Sequence, residues 1–352
     1  MIFIVKMTDN ELTKVQDLLR TKKERYCGEK SAVGASGVED AEEKPTREDG
    51  CDPDPVPSTV SPSAYGITDS QIAKEIRGDS LKTEGRLSDV SSNDKVRQAV
   101  RQQYRRVAIA DAGCDTGSGC CDASLANVGS VSQSLGYTTD DIGSVPLGAN
   151  LGLGCGNPEA IAHLSPGETV LDLGSGGGFD CFLAARKVGT SGQVIGVDMT
   201  PEMVSKARDN AEQGGYRNVE FRLGEIESLP VADRTVDVIM SNCVLNLSPD
   251  KPRVFAEAYR VLKPQGRLAI SDIVAFAELP EDIRGNMAFY TGCIAGASLI
   301  SEIETMLHGV GFAQVRIARK DESLSFIRDW APGTPITDYV VSATIEAIKL
   351  GN

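Results

Sequence analysis

The chain has 352 residues, of which 41% are hydrophobic, and it carries a formal net charge of −14 at pH 7. This length suffices for one large domain with an appendage, or for two domains. The acidic balance argues against a nucleic-acid partner, which requires a basic face. No run approaches the roughly 20 apolar residues of a membrane span, and the start, MIFIVKMTDNELTK, does not resemble a secretory signal. The sequence therefore predicts a cytoplasmic protein with no membrane partner.

The cysteine content indicates thiol chemistry. The cysteines are scattered without any C-x-x-C pair, which argues against a structural zinc ribbon. In a compartment that keeps thiols reduced, an odd number of scattered cysteines predicts working thiols rather than a disulfide framework. The nine are Cys27, Cys51, Cys114, Cys120, Cys121, Cys155, Cys181, Cys243 and Cys293.

The first 92 residues are predicted to form an acidic, largely disordered extension. The stretch 33–63 is rich in glycine, proline, serine and acids. Such a composition buries too little apolar surface to offset the entropy of ordering. A short helix over 9–25 is the one element expected there, and Cys27 and Cys51 are interpreted as bystanders.

Residues 93–160 are predicted to form a helix followed by a cysteine-bearing cap. Apolar residues recur at helical spacing, which predicts a helix over 94–110 with Asn93 as its N-cap. The stretch 113–156 is irregular and rich in small residues, so we expect mostly loop with one short helix. The apolar face of the first helix comprises Val96, Val100, Tyr104 and Val107.

Residues 161–275 show a regular alternation of strands and helices. Near-continuous apolar runs are separated by amphipathic helices, which predicts a parallel sheet covered on both faces. The predicted strands are ETVLDLG, GQVIGVD, NVEFRLG, RTVDVIMSN and GRLAISDIV. The predicted helices are GFDCFLAARKVG, TPEMVSKARDNAEQGG and one that starts at Ser248-Pro249 and runs through RVFAEAYRVL.

Residues 276–352 are predicted to hold an insertion after the fifth strand and the last two strands. The stretch 278–310 has a helical pattern around an irregular centre, FYTGCIAGAS. FAQVRIARK and DYVVSATIEAIKL are predicted strands, and the absence of a strong crossover helix between them predicts a hairpin-like antiparallel arrangement. The predicted fold is α/β: a doubly wound, seven-stranded, mostly parallel sheet with an N-terminal thiol-bearing cap and a C-terminal extension.

A glycine-rich turn, DLGSGGG, follows the first strand and opens a helix. Its glycines let the backbone turn tightly and approach a ligand at the helix N-terminus. The spacing G-x-G-x-G, with an acid two residues before the first glycine, resembles the first motif of class I S-adenosylmethionine-dependent methyltransferases. The turn alone leaves an NAD site open, whereas matching residues at three further strand ends favour S-adenosylmethionine. The predicted cofactor residues are Asp172, Gly174, Gly176, Gly178, Asp198, Met199, Glu225, Ile226 and Asn242.

The resemblance to class I methyltransferases implies a part of the cofactor for each strand end. Asp198 ends the second strand, where an acid accepts both ribose hydroxyls. Glu225 and Ile226 follow the third strand and are expected beside the adenine amino group. Asn242 ends the fourth strand and is expected near the methionine moiety.

Cysteines recur where a methyl acceptor would lie. One directly follows the fourth strand, one lies in the insertion after the fifth strand, one precedes the first strand, and an adjacent pair lies in the cap. Thiols from separate segments can therefore converge over the sulfonium. Both histidines are predicted away from this edge, so the usual general base is not expected here. The candidate thiols are Cys243, Cys293, Cys155, and the pair Cys120 and Cys121.

Several motifs together make the resemblance specific. The chain is similar to arsenite methyltransferases over about 94–350. The resemblance implies methylation of trivalent arsenic in arsenic detoxification, with S-adenosylmethionine as donor and a thiol reductant of the glutathione or thioredoxin type. The motifs are GLGCGNP, LDLGSGGGFDCFLAA, GVDMTPEM, SNCVLNL, DKPRVFAEAYRVLKPQGRLAISD and YVVSATIEA.

The resemblance also implies roles for the thiols. Cys243 and Cys293 are expected to hold the arsenic. Cys155 and one of Cys120 and Cys121 complete the set by ligation or disulfide cycling, with Cys120 favoured and the choice open. Thiolate-bound trivalent arsenic keeps a lone pair that attacks the methyl carbon, so no base is needed. Many family members carry a second cysteine where this chain has Leu245.

Two other functions remain open at this point. A methyltransferase for an organic acceptor, such as a quinone precursor or a sterol, would have nearly the same core motifs and no need for thiol ligands. A thiol-rich protein that sequesters metalloids would bind arsenic without forming S-adenosylhomocysteine. The sequence leaves undecided the number of methyl groups added, the preferred reductant, the oligomeric state and the role of the N-terminal extension.

Overall fold

A computed structural model describes residues 93–110, 121–331 and 333–351. The predicted extension over 1–92, its helix at 9–25, and Cys120 lie outside the described residues. Within the described ranges, no helix has both the length and the apolar character needed to cross a bilayer.

A seven-stranded sheet forms the centre of the molecule, as the sequence predicts. Its strand order is β3-β2-β1-β4-β5-β7-β6, and the first five strands pair in parallel. β7 runs antiparallel to both of its neighbours, so it is the hairpin-like element expected near the C-terminus. The strands are β1 Thr169–Leu173, β2 Gln193–Asp198, β3 Val219–Leu223, β4 Val236–Asn242, β5 Leu262–Ala275, β6 Phe312–Lys320 and β7 Val340–Lys349.

Helices cover both faces of the sheet and its carboxyl edge. Apolar side chains of the strands are almost wholly buried between these layers, which is the reason that the strand sequences read as continuous hydrophobic runs. In chain order the helices are α1 Asn93–Ala110, α2 Cys121–Ser134, α3 Thr139–Gly143, α4 Glu159–Ala162, α5 Phe179–Val188, α6 Pro201–Gln213, α7 Lys251–Val261, α8 Glu281–Arg284, α9 Met287–Thr291, α10 Ile300–Gly309 and α11 Leu324–Ile327.

The helices differ from the sequence prediction in two places, the cap and the start of α7. The stretch 113–156 was expected to be mostly loop with one short helix, but its described part holds α2, which has 14 residues, and also α3. α7 begins at Lys251 rather than at Ser248-Pro249, because the side chain of Asp250 accepts a hydrogen bond from the Arg253 N–H and caps the helix. The Ser248 hydroxyl is engaged elsewhere, since it donates to Glu227 at 2.7 Å.

A step in the sheet creates the space in which the cysteines gather. β4 ends at Asn242, which pairs with Ser271 of β5. β5 continues to Ala275, and over that length it pairs with β7, with one further isolated bridge from Ala275 to Leu299. The carboxyl end of β4 therefore faces a recess beside the last residues of β5, and this is the sheet edge at which open α/β folds bind ligands.

Helix α1 lies over this carboxyl edge. Its Val96 and Val100 are buried in a cluster with the insertion that follows β5, and Tyr104 packs against the same cluster. On its polar side, Arg97 pairs with Glu225 at 3.3 Å and with Glu227 at 3.1 Å. The predicted apolar face of α1 is thus the face that covers the site.

Candidate active site

The glycine-rich turn has the backbone shape that its sequence predicts. Gly174, Gly176 and Gly178 have φ of 70°, 51° and 95°, in the left-handed region that only glycine adopts at little cost. A Cβ at Gly174 would overlap the side chain of Val244, and a Cβ at Gly178 would lie 2.7 Å from the ring of Phe182. Tight packing therefore forces glycine at the first and third positions.

The middle of the turn is open and fits a bound ligand. A Cβ at Gly176 would meet no atom within 4 Å, in contrast to its neighbours in the turn. The Ser175 hydroxyl is buried and has no hydrogen-bond partner among the described residues. An unsatisfied buried hydroxyl beside an open glycine is what a site for a polar cofactor presents before the cofactor binds.

Two predicted cofactor acids are placed by this turn. Asp198 accepts hydrogen bonds from the N–H groups of Gly176, at 3.0 Å, and Thr200, at 2.8 Å. Asp172 is buried, and the Cys181 thiol donates to it at 3.2 Å. Burial raises the pKa of the Asp172 carboxyl well above its usual range. Cys181 thus contacts a cofactor-site acid and lies outside the group of thiols described below.

Of the two residues predicted beside the adenine, Glu225 contacts helix α1 and Ile226 lies in the core. Glu225 is paired with Arg97 and with Arg101, both of which belong to α1. Ile226 is 8% exposed and belongs to the main hydrophobic core. Met199, the residue after β2, packs against the cluster that contains Cys155, Cys243 and Cys293. All three residues follow the carboxyl ends of β2 and β3, as the sequence predicts.

The side chain of Asn242 joins the segment that carries Cys155 to the start of α5, the helix after the glycine-rich turn. Its Oδ1 accepts from the Cys155 N–H at 3.0 Å. Its Nδ2 donates to the Gly156 carbonyl at 2.8 Å, to the Tyr137 hydroxyl at 3.0 Å and to Asp180 Oδ2 at 3.4 Å. The side chain that was predicted near the methionine moiety is thus also the brace that holds Cys155 in place.

Cys155, Cys243 and Cys293 come together from three segments. All three are buried, unpaired by disulfides and part of one cluster. The Cys155 thiol lies 3.5 Å from the Ser271 carbonyl, and the Cys293 thiol donates to the Cys243 carbonyl at 2.9 Å. Of the cap pair, Cys121 is the first residue of α2, and its side chain and all of Cys120 lie outside the described part.

The two cysteines that follow β4 and α9, Cys243 and Cys293, have an unusual backbone. Cys243 has φ of 60° and Cys293 has φ of 64°, values that cost a residue with a Cβ about 1–2 kcal/mol. The surroundings fix both conformations. The Cys243 N–H donates to the Ser271 carbonyl at 2.8 Å, and Asn246 Nδ2 donates to the Cys293 carbonyl at 3.2 Å. Strain maintained in this way is common at functional sites.

The thiols are held in their neutral form before a ligand binds. Burial raises the pKa of Cys155 to about 11. Hydrogen bonding with Cys155 raises the pKa of Cys243, and hydrogen bonding with Cys243 raises that of Cys293. Protonated, mutually bonded thiols resist oxidation and stay available for a thiophilic ligand.

Three residues around the thiols were not found by sequence reasoning. Asp272 is 1% exposed and lies beside Cys155 and Cys243. Asn246 bonds Asp272 Oδ1 at 3.0 Å and the Ile273 carbonyl at 2.6 Å. Tyr104 of α1 packs against the cluster that contains the three thiols. The signal for Asp272 was a carboxylate within the apolar strand LAISDIV, since a buried charge needs a reason.

The two histidines lie away from the thiols, in accordance with the sequence prediction. His163 follows α4, before β1, and His308 lies in α10, where its ring contacts the Phe312 carbonyl at 3.3 Å. Both lie toward the opposite edge of the sheet, since Arg267 near the start of β5 donates to the His163 carbonyl and Phe312 pairs with Lys349 at the end of β7. A histidine base is therefore not built into this site.

A family model described as a methyltransferase domain matches residues 164–311. Together with the sheet order and the glycine turn, this match defines an S-adenosylmethionine-dependent methyltransferase of class I. The arsenite methyltransferase of Halobacterium salinarum is 54% identical over 264 residues, which are 73% of this chain and 67% of the relative. The chain belongs to the arsenite methyltransferase family.

Two further relatives give the extent of the similarity. The arsenite methyltransferase of Aquipseudomonas alcaligenes is 43% identical over 205 residues, or 56% of this chain and 58% of the relative. The crystal structure of an arsenic(III) S-adenosylmethionine methyltransferase from Chlamydomonas reinhardtii matches with 32% identity and a TM-score of 0.46, over 63% of this chain and 73% of that one.

Proposed function

We propose that this chain transfers a methyl group from S-adenosylmethionine to trivalent arsenic held by Cys155, Cys243 and Cys293. One observation carries the proposal: three buried thiols from three separate segments meet at the carboxyl end of β4, in the recess beside β5. The glycine turn lies against the same place, because Gly174 packs on Val244, the residue after Cys243. This proximity supports placing the methyl donor beside the thiols.

The thiols suit this substrate chemically. Trivalent arsenic is soft and takes sulfur ligands, as soft metals do. Bound by three sulfur atoms it is pyramidal and keeps a lone pair, so no proton has to leave the acceptor and no base is required. The buried surroundings exclude water, and the strained, anchored backbones of Cys243 and Cys293 fix the positions of their sulfur atoms. Trp330 and Tyr104 close the apolar side of this cluster.

The residues around the glycine turn would hold the cofactor, which supplies an electrophilic methyl group. The turn itself, with Gly174, Gly176 and Gly178, allows close approach, and the free Ser175 hydroxyl offers a hydrogen bond. Asp172 and Asp198 lie on the strand ends on either side. The further proposed contacts are Met199, Glu225, Ile226 and Asn242.

The remaining parts of the cycle follow from arsenic chemistry. Methylation takes arsenic from the trivalent to the pentavalent state, and two thiols return it to the trivalent state as they join in a disulfide. One of Cys120 and Cys121 is proposed to share this role with Cys155. An external thiol of the glutathione or thioredoxin type then restores the cysteines by exchange. A reducing cytoplasm suits such a cycle, and the biological role we propose is arsenic detoxification.

The proposed chain organisation separates these roles. Residues 93–160 would form the thiol-bearing cap, 161–275 the cofactor-binding core, and 276–352 the acceptor-site insertion with the last strands. The first 92 residues would be an acidic extension outside this machinery.

Serine variants of two thiols test the proposal. We expect Cys243→Ser and Cys293→Ser to bind S-adenosylmethionine as the parent does and to lose methylation of arsenite. The assay is arsenic speciation after incubation with arsenite, glutathione and methyl-labelled S-adenosylmethionine. Cys181→Ser is the matched control, because this buried thiol contacts Asp172 and a serine hydroxyl can still donate there.

Three outcomes would contradict the proposal. Full arsenite turnover in either Cys243→Ser or Cys293→Ser would remove those thiols from the acceptor site. Parent-like turnover of a phenol or sterol acceptor, unaffected by these substitutions, would instead support an organic substrate. Arsenic bound without any S-adenosylhomocysteine formed would indicate sequestration.

A further inference from the structure

We propose that Cys155, Cys243 and Asp272 form a binding site for a soft divalent cation of the Zn²⁺ or Cd²⁺ class. One ligand atom from each, the two Sγ atoms and a carboxylate oxygen, all lie within 4.8 Å of one another. All three side chains are buried, with exposures of 1% for Cys155, 9% for Cys243 and 1% for Asp272. A carboxylate in this position has no part in holding trivalent arsenic by sulfur.

Asp272 is oriented like a metal-binding carboxylate. Its Oδ2 accepts from the Leu245 N–H at 2.8 Å. Its Oδ1 accepts from the Ile273 N–H at 2.7 Å and from Asn246 Nδ2 at 3.0 Å. Ligating carboxylates are usually fixed by such second contacts, which set their direction. The carboxylate is thus held rigidly at the wall of the thiol recess.

The two thiols are equally well placed before any ion binds. Asn242 Oδ1 holds the Cys155 N–H, and the Ser271 carbonyl holds the Cys243 N–H at 2.8 Å. Zn–S bonds of about 2.3 Å and Zn–O bonds of about 2.1 Å put neighbouring ligand atoms of a tetrahedral site roughly 3.5 Å apart. Small side-chain rotations therefore suffice to close the trio around one cation.

The chemistry of the trio favours a divalent cation over arsenic. Two thiolates and one carboxylate match the donor preference of Zn²⁺ and Cd²⁺. On binding, two S–H bonds break, two metal–sulfur bonds form, and the two protons pass to the solvent, so no electron is transferred. Trivalent arsenic would be held by Cys155, Cys243 and Cys293, so Cys293 takes the place of Asp272 in its ligand set. The Cys293 thiol lies against the Cys243 carbonyl. The two ligands share Cys155 and Cys243 and must exclude each other.

Cadmium titration of the full-length chain tests this site. In a buffer with a phosphine reductant, we expect the sulfur-to-cadmium charge-transfer absorbance to rise on addition of Cd²⁺. Because the chain has nine cysteines, the measured quantity is the difference between variants. Asp272→Asn and Cys155→Ser should each weaken the tightest Cd²⁺ site by at least about tenfold. Cys293→Ser removes a neighbouring buried thiol outside the trio and should retain that site.

The folding of each variant is checked by S-adenosylmethionine binding and thermal unfolding. If Asp272→Asn fails to fold, the comparison of Cys155→Ser with Cys293→Ser decides. Parent-like Cd²⁺ affinity in a folded Asp272→Asn or Cys155→Ser protein, or equal loss in Cys293→Ser, would overturn the site.

A competition measurement distinguishes this inference from the proposed function. The cation site itself does not depend on the proposed function, whereas the expected competition with arsenite rests on it. Arsenite should displace one Cd²⁺ from the parent chain, and Cd²⁺ should inhibit arsenite methylation until a chelator is added. Tight Cd²⁺ binding that depends on Asp272, in a chain that fails to methylate arsenite, would support the cation site and reject the proposed substrate.

Discussion

The Tyr137 hydroxyl donates a 2.6 Å hydrogen bond to Asp180 Oδ1, entirely inside the protein. Tyr137 belongs to the N-terminal cap and Asp180 to the first turn of α5, directly after the glycine turn. The other carboxylate oxygen and the same hydroxyl both meet Asn242, which holds the backbone of Cys155. The contact therefore links Tyr137, the helix after the glycine turn and Cys155, one of the proposed acceptor thiols.

Removing this hydroxyl should weaken both the fold and the acceptor site. Tyr137→Phe leaves a buried carboxylate with one donor fewer, which costs about 1–3 kcal/mol in the free energy of unfolding. Because Asn242 loses a partner as well, we expect kcat for arsenite methylation to fall more than the affinity for S-adenosylmethionine. Urea unfolding and steady-state kinetics measure the two effects.

Tyr216→Phe is the matched control for this prediction. The Tyr216 ring packs on Phe182 at a centroid distance of 4.6 Å, on the far side of α5 from the thiols. The same chemical change there should leave kcat unchanged. Equal effects of the two substitutions would show that the contact of Tyr137 with Asp180 has no special role.

The left-handed backbone of Cys243 predicts an unusual order of stabilities. Glycine tolerates a φ of 60°, whereas alanine retains the Cβ that makes this conformation costly. Both substitutions delete the thiol, so both should abolish arsenite methylation. Cys243→Gly should nevertheless be more stable than Cys243→Ala, with a free energy of unfolding higher by about 1 kcal/mol. Urea unfolding of the two variants measures this difference. The opposite order would mean that the strain is absent in solution.

Most of the sheet was predictable because its strands carry a strong physical signal. Apolar runs such as VDVIM and LAIS are buried on both faces, and such runs have few alternatives to a central strand. The segment of α2, CDASLANVGSVSQS, has no comparable apolar pattern, and its serines, glycine and asparagine favour loops. Packing overrides that local preference, and no pattern within the segment shows it.

The candidate site was predictable to the extent that it follows strand ends. Cys243 and Asn242 were placed correctly at the end of β4 because the carboxyl ends of parallel strands meet at one edge. Asp272 and Tyr104 were missed for the opposite reason. One lies inside a strand and the other on the apolar face of a helix, so both share the pattern of core residues. Their proximity to the thiols depends on the step between β4 and β5.

Stability should rise when the solution is made mildly acidic. Burial raises the pKa of Asp180 and of Asp272 to about 6, from an ordinary value of 3.8. The folded chain therefore binds these protons more tightly than the unfolded chain. The resulting stabilisation is fully present below the unfolded pKa and is lost as the pH rises through about 6. Each group contributes on the order of 2–3 kcal/mol at most.

Urea unfolding at several pH values measures this effect. Between pH 7.5 and pH 5, we expect the free energy of unfolding of the parent chain to increase. Asp180→Asn should show a smaller increase, while Asp209→Asn, which changes an exposed carboxylate of α6, should follow the parent. The lowered pKa values of Glu220 and Glu257 act in the opposite direction, at lower pH than this window. A parent-like slope in Asp180→Asn would refute the assignment.

The ion pairs of helix α1 should differ strongly in strength. Arg97 has a side-chain exposure of 14% and meets Glu227, which is 8% exposed, whereas Arg105 is 61% exposed and meets Glu202 at the surface. Without Arg97, the buried Glu227 carboxylate keeps its hydrogen bond from the Ser248 hydroxyl but loses the cation that α1 supplies. Arg97→Ala should cost about 1.5–3 kcal/mol, and Arg105→Ala about 0.2–1 kcal/mol.

The two arginine variants should also differ in function. Arg97 braces Glu225, the proposed adenine contact, and fixes the helix that carries Tyr104 over the thiols. Arg97→Ala should therefore weaken S-adenosylmethionine binding and arsenite turnover together, while Arg105→Ala changes neither. Isothermal titration with S-adenosylmethionine and thermal unfolding test both statements. Similar losses in the two variants would indicate that α1 is held by its apolar face alone, through Val96 and Val100.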